Sequence, residues 1–280
     1  MLVTFGCSFV WGDELEGHDT FPCSHWKRTF SEKLGKKLGL ETKIVAQMGN
    51  SNDKIFRDVI SYIHDPSNKK PTHMVVVWSH PNRSEVALNK KFNPEELKIG
   101  HRIDSKGKRH RWSIRFQQNM HQFGPSRPEW ADQRKLPIIG NYYNELWNEH
   151  TAVLDLLTKM QSLEMICRSS NIKLIQCQYA QFTRDILTQC MDKNRFLHML
   201  PWRNHVELIL KGLTKESKVG LLPDNRLGYD MNTRANKLGK TLRYGHPDET
   251  VHTWYANKLH KIFEDVDRWK IYFQPQKKGS

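Results

Sequence analysis

The chain has 280 residues, with 44 lysines and arginines against 30 acidic side chains, for a formal charge of +14 and a pI near 9.5. Hydrophobic residues make up 38% and the mean hydropathy is −0.71, which is enough for one α/β domain under a very polar surface and excludes a fibrous or low-complexity chain. No run reaches the ~18 apolar residues of a membrane span and no basic-then-apolar leader opens the chain, so a cytoplasmic protein without membrane association is expected.

Leu2-Val3-Thr4-Phe5 reads as a buried strand running into the turn Gly6-Cys7-Ser8. A hydroxyl at a strand-to-turn junction is held by the sheet. Gly6 leaves space for an approaching carbonyl, and the Ser8 N–H is free to bind an oxyanion, so Ser8 is a candidate nucleophile. The plain alternative is a turn serine with no chemistry. A helix is predicted near 24–39, ended by Gly39, and a second strand over Thr42–Ala46. That strand breaks at Gly49 and re-enters a helix over 52–64 through Ser51 or Asn52, both good N-caps. His73–Trp78 is the third strand.

Residues 79–137 read as irregular. Connections of that length in a compact domain are usually functional, so an insertion over the site is expected. Lys106, Lys108, Arg109, Arg111 and Arg115 stand there among Trp112, Phe116 and Trp130. Such a mixture can hold a phosphodiester backbone and stack on its bases, or it can be a solvated loop with no ligand. The strongest helical period covers 142–170, with Leu146, Val153, Leu157, Met160, Leu163 and Ile166 on one face. A fourth strand follows at 172–177. Short helices and a polar loop fill 182–241, a last helix runs from about 248 to 269, and residues 274–280 are expected to be disordered. Strands alternating with helices predict a mainly parallel, doubly wound, flavodoxin-like sheet in a single domain, with ligands at the strand carboxyl ends. Five cysteines without CxxC spacing argue against a disulfide framework, and none of the fourteen histidines has the spacing of a metal site. No cofactor motif is present.

Three segments together, Gly6-Cys7-Ser8-Phe9, Gly49-Asn50-Ser51-Asn52-Asp53 and Gly245-His246-Pro247 before the last helix, resemble the SGNH (GDSL-type) hydrolase superfamily, most closely its divergent bacteriophage members. The resemblance covers about the first eighty and last forty residues. It implies a three-layer α/β fold and ester hydrolysis of the esterase or deacetylase type, with Ser8 as nucleophile, His246 as base and Gly49 as an oxyanion donor. The third-block asparagine is not in its usual place, leaving Asn52, His80 and Asn82 as candidates. Where the family's acid stands, three residues before the histidine, this chain has Arg243. Asp248 or another carboxylate then takes that role, the site is a Ser-His dyad, or hydrolytic activity is lost. His252 matches a position that is usually a buried histidine or tyrosine. The expected partner is an ester-bearing, anionic substrate. The alternative function is a degenerate member that binds nucleic acid or another polyanion, or a phage structural or host-takeover component acting in the host cytoplasm.

Overall fold

A strand apolar on both sides of its two-residue alternation belongs in the middle of a sheet covered by helices on both faces. In the computed structural model, Leu2–Gly6 forms that strand, β1, buried throughout. The structure describes residues 1–16, 25–47, 49–81, 83–87, 101–103, 109–111, 120–123, 149–178 and 246–273, with isolated positions between 208 and 242. β1 pairs in parallel with β2 (Thr42–Ala46) on one side and β3 (His73–Trp78) on the other. After β3 come β4 (Ser84–Ala87), β5 (His101–Ile103), β6 (Arg109–Arg111) and β7 (Met120–Phe123), and then β8 (Lys173–Gln178), which pairs in parallel with β3. The sheet order is therefore β2-β1-β3-β8, all parallel, as the α/β reading anticipated. The chain steps from β1 outward to β2 and then back across to β3, so the carboxyl ends of β1 and β3 flank the point where the winding reverses. Open parallel sheets bind ligands in the crevice at that point.

The complete helices among the described residues are α1 (Ser8–Trp11), α2 (Phe30–Leu38), α3 (Asn52–His64), α4 (Glu149–Ser169), α5 (Glu249–Glu264) and α6 (Val266–Phe273). Their ends follow local chemistry. Thr29 caps α2 by accepting from the Glu32 N–H, and Gly39 ends it at φ 64°, a left-handed conformation that glycine adopts without penalty. Ser51 caps α3 through the Lys54 N–H at 3.1 Å.

Three boundaries differ from the sequence reading. The segment predicted as one helix from 24 is a 3-10 turn at His25–Arg28 before α2, because the Thr29 side chain caps and so interrupts. The last helix breaks at Asp265: the Trp269 indole N–H reaches back to the carbonyls of Ile262 (3.2 Å) and Phe263 (3.0 Å), meeting the orphan acceptors at the end of α5. Within the segment read as irregular, the backbone forms two antiparallel pairs, β4 with β7 and β5 with β6. Residues 142–148 and 274–280 lie outside the described residues.

The core packs Leu2, Val3, Phe5, Met74 to Trp78, Leu174 and Ile175 from the sheet against Leu34, Ile55, Val59, Leu156, Met160, Tyr255 and Leu259 from the helices. Several of its buried polar groups are paired. Thr4 Oγ1 donates to Ser31 Oγ at 2.9 Å. Gln176 accepts from the Trp78 indole at 3.0 Å and donates to the Met160 carbonyl at 2.9 Å.

Candidate active site

β1 ends at Gly6, and the chain turns at once into α1, whose first residue is Ser8. The turn needs glycine for a packing reason that the sequence does not reveal: a Cβ on Gly6 would lie 2.3 Å from Val10 Cγ2 and 3.0 Å from the Val77 carbonyl. Gly6 thus lets the first turn of α1 fold back onto the strand ends. Gly12 closes α1 at φ 79°, and the N–H groups of Gly12 and Asp13 both donate to the Ser8 carbonyl at 3.0 Å. The segment that follows wraps back beside Ser8, with Leu15 buried as its anchor. Glu14 sits at φ 69°, a left-handed conformation that costs a non-glycine residue of order 1 kcal/mol and that clusters at functional sites.

His246 arrives from the other end of the chain. The segment before α5 is pinned as a narrow loop: Thr241 bridges Pro247, Leu242 N–H donates to the His246 carbonyl at 2.7 Å, and Asp248 N–H to the Lys240 carbonyl at 3.0 Å. The imidazole then meets the turn after β1. Its Nε2 lies 2.9 Å from Ser8 Oγ and its Nδ1 lies 3.0 Å from Glu14 Oε2. A carboxylate only accepts, so Nδ1 carries the hydrogen and Nε2 is left to accept from the Ser8 hydroxyl. The Phe9 ring packs against the imidazole, centroids 5.0 Å apart. Serine, histidine and carboxylate are thus in line, with Ser8 5% and His246 7% exposed.

Of the sequence candidates, Ser8 and His246 come together as expected. The carboxylate on the histidine's Nδ1 is Glu14. Asp248 is the N-cap of α5, where its side chain accepts from the Val251 N–H at 3.1 Å. Arg243 lies outside the described residues. Gly49, at φ 81°, forms the turn after β2 and so stands beside the turn after β1. Asn52 is braced against the end of β3: its Oδ1 accepts from the Ser79 N–H at 2.7 Å and its Nδ2 donates to the Ser79 carbonyl at 3.2 Å. Arg83 donates to Ser79 Oγ at 2.9 Å. Asn82 lies outside the described residues, as do Lys106, Lys108 and Arg115. Arg109 and Arg111 are described in backbone only, on β6.

Three residues escaped the sequence reading. Glu14 and Asp13 are the acidic pair that follows Gly12, in a chain that is otherwise basic, and that contrast was the available signal. Asn50, 1% exposed, donates from Nδ2 to the Gly6 carbonyl at 2.9 Å and ties the turn after β2 to the end of β1. His252 is buried and serves the fold: its Nδ1 accepts from the Phe30 N–H at 3.1 Å, at the start of α2. Burial first, then the nearby Lys33 and His246 side chains, hold it down at about 3, and so it is neutral. Cys7, Cys167 and Cys177 are buried free thiols, and burial pushes the last of these up to about 12. No helix among the described residues is long and apolar enough to cross a membrane.

No family model matches the chain, and no curated protein is significantly similar to it.

Proposed function

We propose that the protein is a serine hydrolase that cleaves an ester through Ser8, His246 and Glu14. The observation that carries the reading is the aligned pair of contacts on one imidazole, Ser8 Oγ at 2.9 Å from Nε2 and Glu14 Oε2 at 3.0 Å from Nδ1. Proton transfer and orientation then fall to separate groups. The Ser8 oxygen attacks the ester carbonyl carbon while its proton passes to Nε2. The Glu14 carboxylate holds the ring in the required tautomer and stabilises the imidazolium that forms. Nε2 then returns the proton to the leaving alcohol, and an acyl group remains on Ser8. The oxyanion is assigned to backbone N–H groups at Ser8 and Gly49, whose turns are neighbours because β1 and β2 pair. The resemblance to SGNH hydrolases supports the roles of Ser8, His246 and Gly49, and the role of Glu14 rests on the contact with Nδ1 alone.

The class of ester is left to the test. Short nitrophenyl esters and O-acetylated sugars assayed with purified protein should be turned over, and Ser8→Ala should abolish the turnover. Ester cleavage that survives Ser8→Ala would overturn the reading.

A further inference from the structure

The roles given to Ser8, His246 and Glu14 do not call on Asp13, yet it is 2% exposed and its carboxylate lies beside the same imidazole. Its Oδ1 accepts from the Glu14 N–H at 3.1 Å, which fixes the carboxylate. Its Oδ2 lies 3.6 Å from His246 Nε2, the nitrogen that faces Ser8, whereas Glu14 holds the opposite nitrogen. A gap of 3.6 Å is too long for a good direct N–H···O bond and suits two groups that share a water. Ser8 and His246 are nearly closed to solvent, so water for a second half-reaction has to be positioned and cannot be drawn at random from bulk.

We infer that Asp13 positions the water that releases the acyl group from Ser8, an assignment that rests on the ester-hydrolase reading. Once the alcohol has left, His246 is neutral again with its Nε2 lone pair available. A water that donates one hydrogen to Nε2 and the other to Asp13 Oδ2 turns its oxygen lone pair toward the acyl carbon. The new carbon–oxygen bond forms as the water proton passes to Nε2. The tetrahedral intermediate then collapses: the bond to Ser8 Oγ breaks, Oγ takes the proton back from Nε2, and the carboxylic acid leaves. A carboxylate oxygen accepts more than one hydrogen bond, so this use is compatible with other contacts of Asp13. Asp13 is thus a positioning residue for the second half of the reaction.

The test compares wild-type protein with Asp13→Asn, which keeps size and shape, using p-nitrophenyl acetate followed by stopped-flow absorbance and intact-protein mass spectrometry. Asp13→Asn should release a burst of nitrophenol stoichiometric with protein and then turn over about 10–10²-fold more slowly. KM should fall in proportion, kcat/KM should stay within about threefold, and acetyl-Ser8 should accumulate. Hydroxylamine, a nucleophile that needs less help from a base, should restore turnover. A loss of kcat/KM equal to the loss of kcat, or no acetyl-Ser8, would overturn the inference while leaving the hydrolase reading in place. If Asp13→Asn fails to fold, Asp13→Ser is read in the same way. Wild-type protein that is neither acetylated nor active would overturn both.

Discussion

His246 and His252 are six residues apart, both almost fully buried, and they do different work. His246 stands in a loop pinned by backbone bonds, with a hydroxyl on one nitrogen and a carboxylate on the other. His252 stands in the first turns of α5, accepts one backbone N–H from α2, and stacks on Phe30 at 6.1 Å with rings nearly parallel. Burial alone therefore does not set what a histidine can do. A ring with a proton source and a proton-holding partner at opposite nitrogens can pass a proton; a ring that accepts from a helix N-terminus is a cap. Removing the first should cost activity and leave the fold. Removing the second should cost the fold.

The largest expected effect is at the reacting atom. Ser8→Ala should lower ester turnover by on the order of 10⁵–10⁶, with the melting free energy changed by no more than about 1 kcal/mol, the worth of one hydrogen bond. Steady-state assays beside a denaturant titration would check both halves. Glu14→Gln keeps the shape but not the charge, and by the behaviour of triads that lose their carboxylate it should cost about 10⁴ in kcat. Equal rates for Glu14→Gln and wild type would remove the acid from the account.

The other side of the comparison is read in stability. His252→Ala leaves the Phe30 N–H buried without its acceptor and opens a cavity, so a loss of about 2–4 kcal/mol is expected in urea unfolding. The sign of the pH dependence follows from the same residue. His252 is held at about 3 in the fold against an ordinary 6.5, chiefly by burial, so the unfolded chain binds the proton more readily. Its contribution is complete above about pH 6.5 and falls by up to about 1.4 kcal/mol per unit as the pH drops from 6.5 toward 3. His73, lowered to about 4 mainly by burial with Lys173 and the N-terminal amine beside it, acts in the same direction over 6.5 to 4. Unfolding of His252→Gln across that window should show a shallower slope than wild type. The smallest effect is at Asp248: Asp248→Ala should remove about 1 kcal/mol as a lost helix cap and change kcat little. A loss of activity as large as that of His246→Ala would restore Asp248 as the acid.

Much of the scaffold was legible because its signals are local. Apolar runs marked β1, β2 and β3 to within a residue, Gly39 and the Ser51-Asn52 pair marked helix ends, and alternation of strands with helices gave the parallel sheet. Ser8 and His246 were legible because each is tied to such an element, a strand end and a helix start. Glu14 was not, because what brings it to His246 is the reversal of the chain at Gly12 and its own left-handed backbone, and no spacing rule encodes that reversal. The resemblance made Asn52 a candidate site amide, and in the fold its Oδ1 and one N–H of its Nδ2 both meet Ser79, a contact between α3 and the end of β3 that the sequence does not encode. The break at Asp265 depends on one indole reaching back to two carbonyls, a contact invisible to helical periodicity.

Activation of Ser8 by His246 can be read from covalent labelling with a fluorophosphonate followed by peptide mapping. A single adduct is expected on Ser8, lost in His246→Ala and slowed in Glu14→Gln while all three proteins melt alike. An unlabelled Ser8 in folded wild-type protein, under conditions that label a control serine hydrolase, would contradict it.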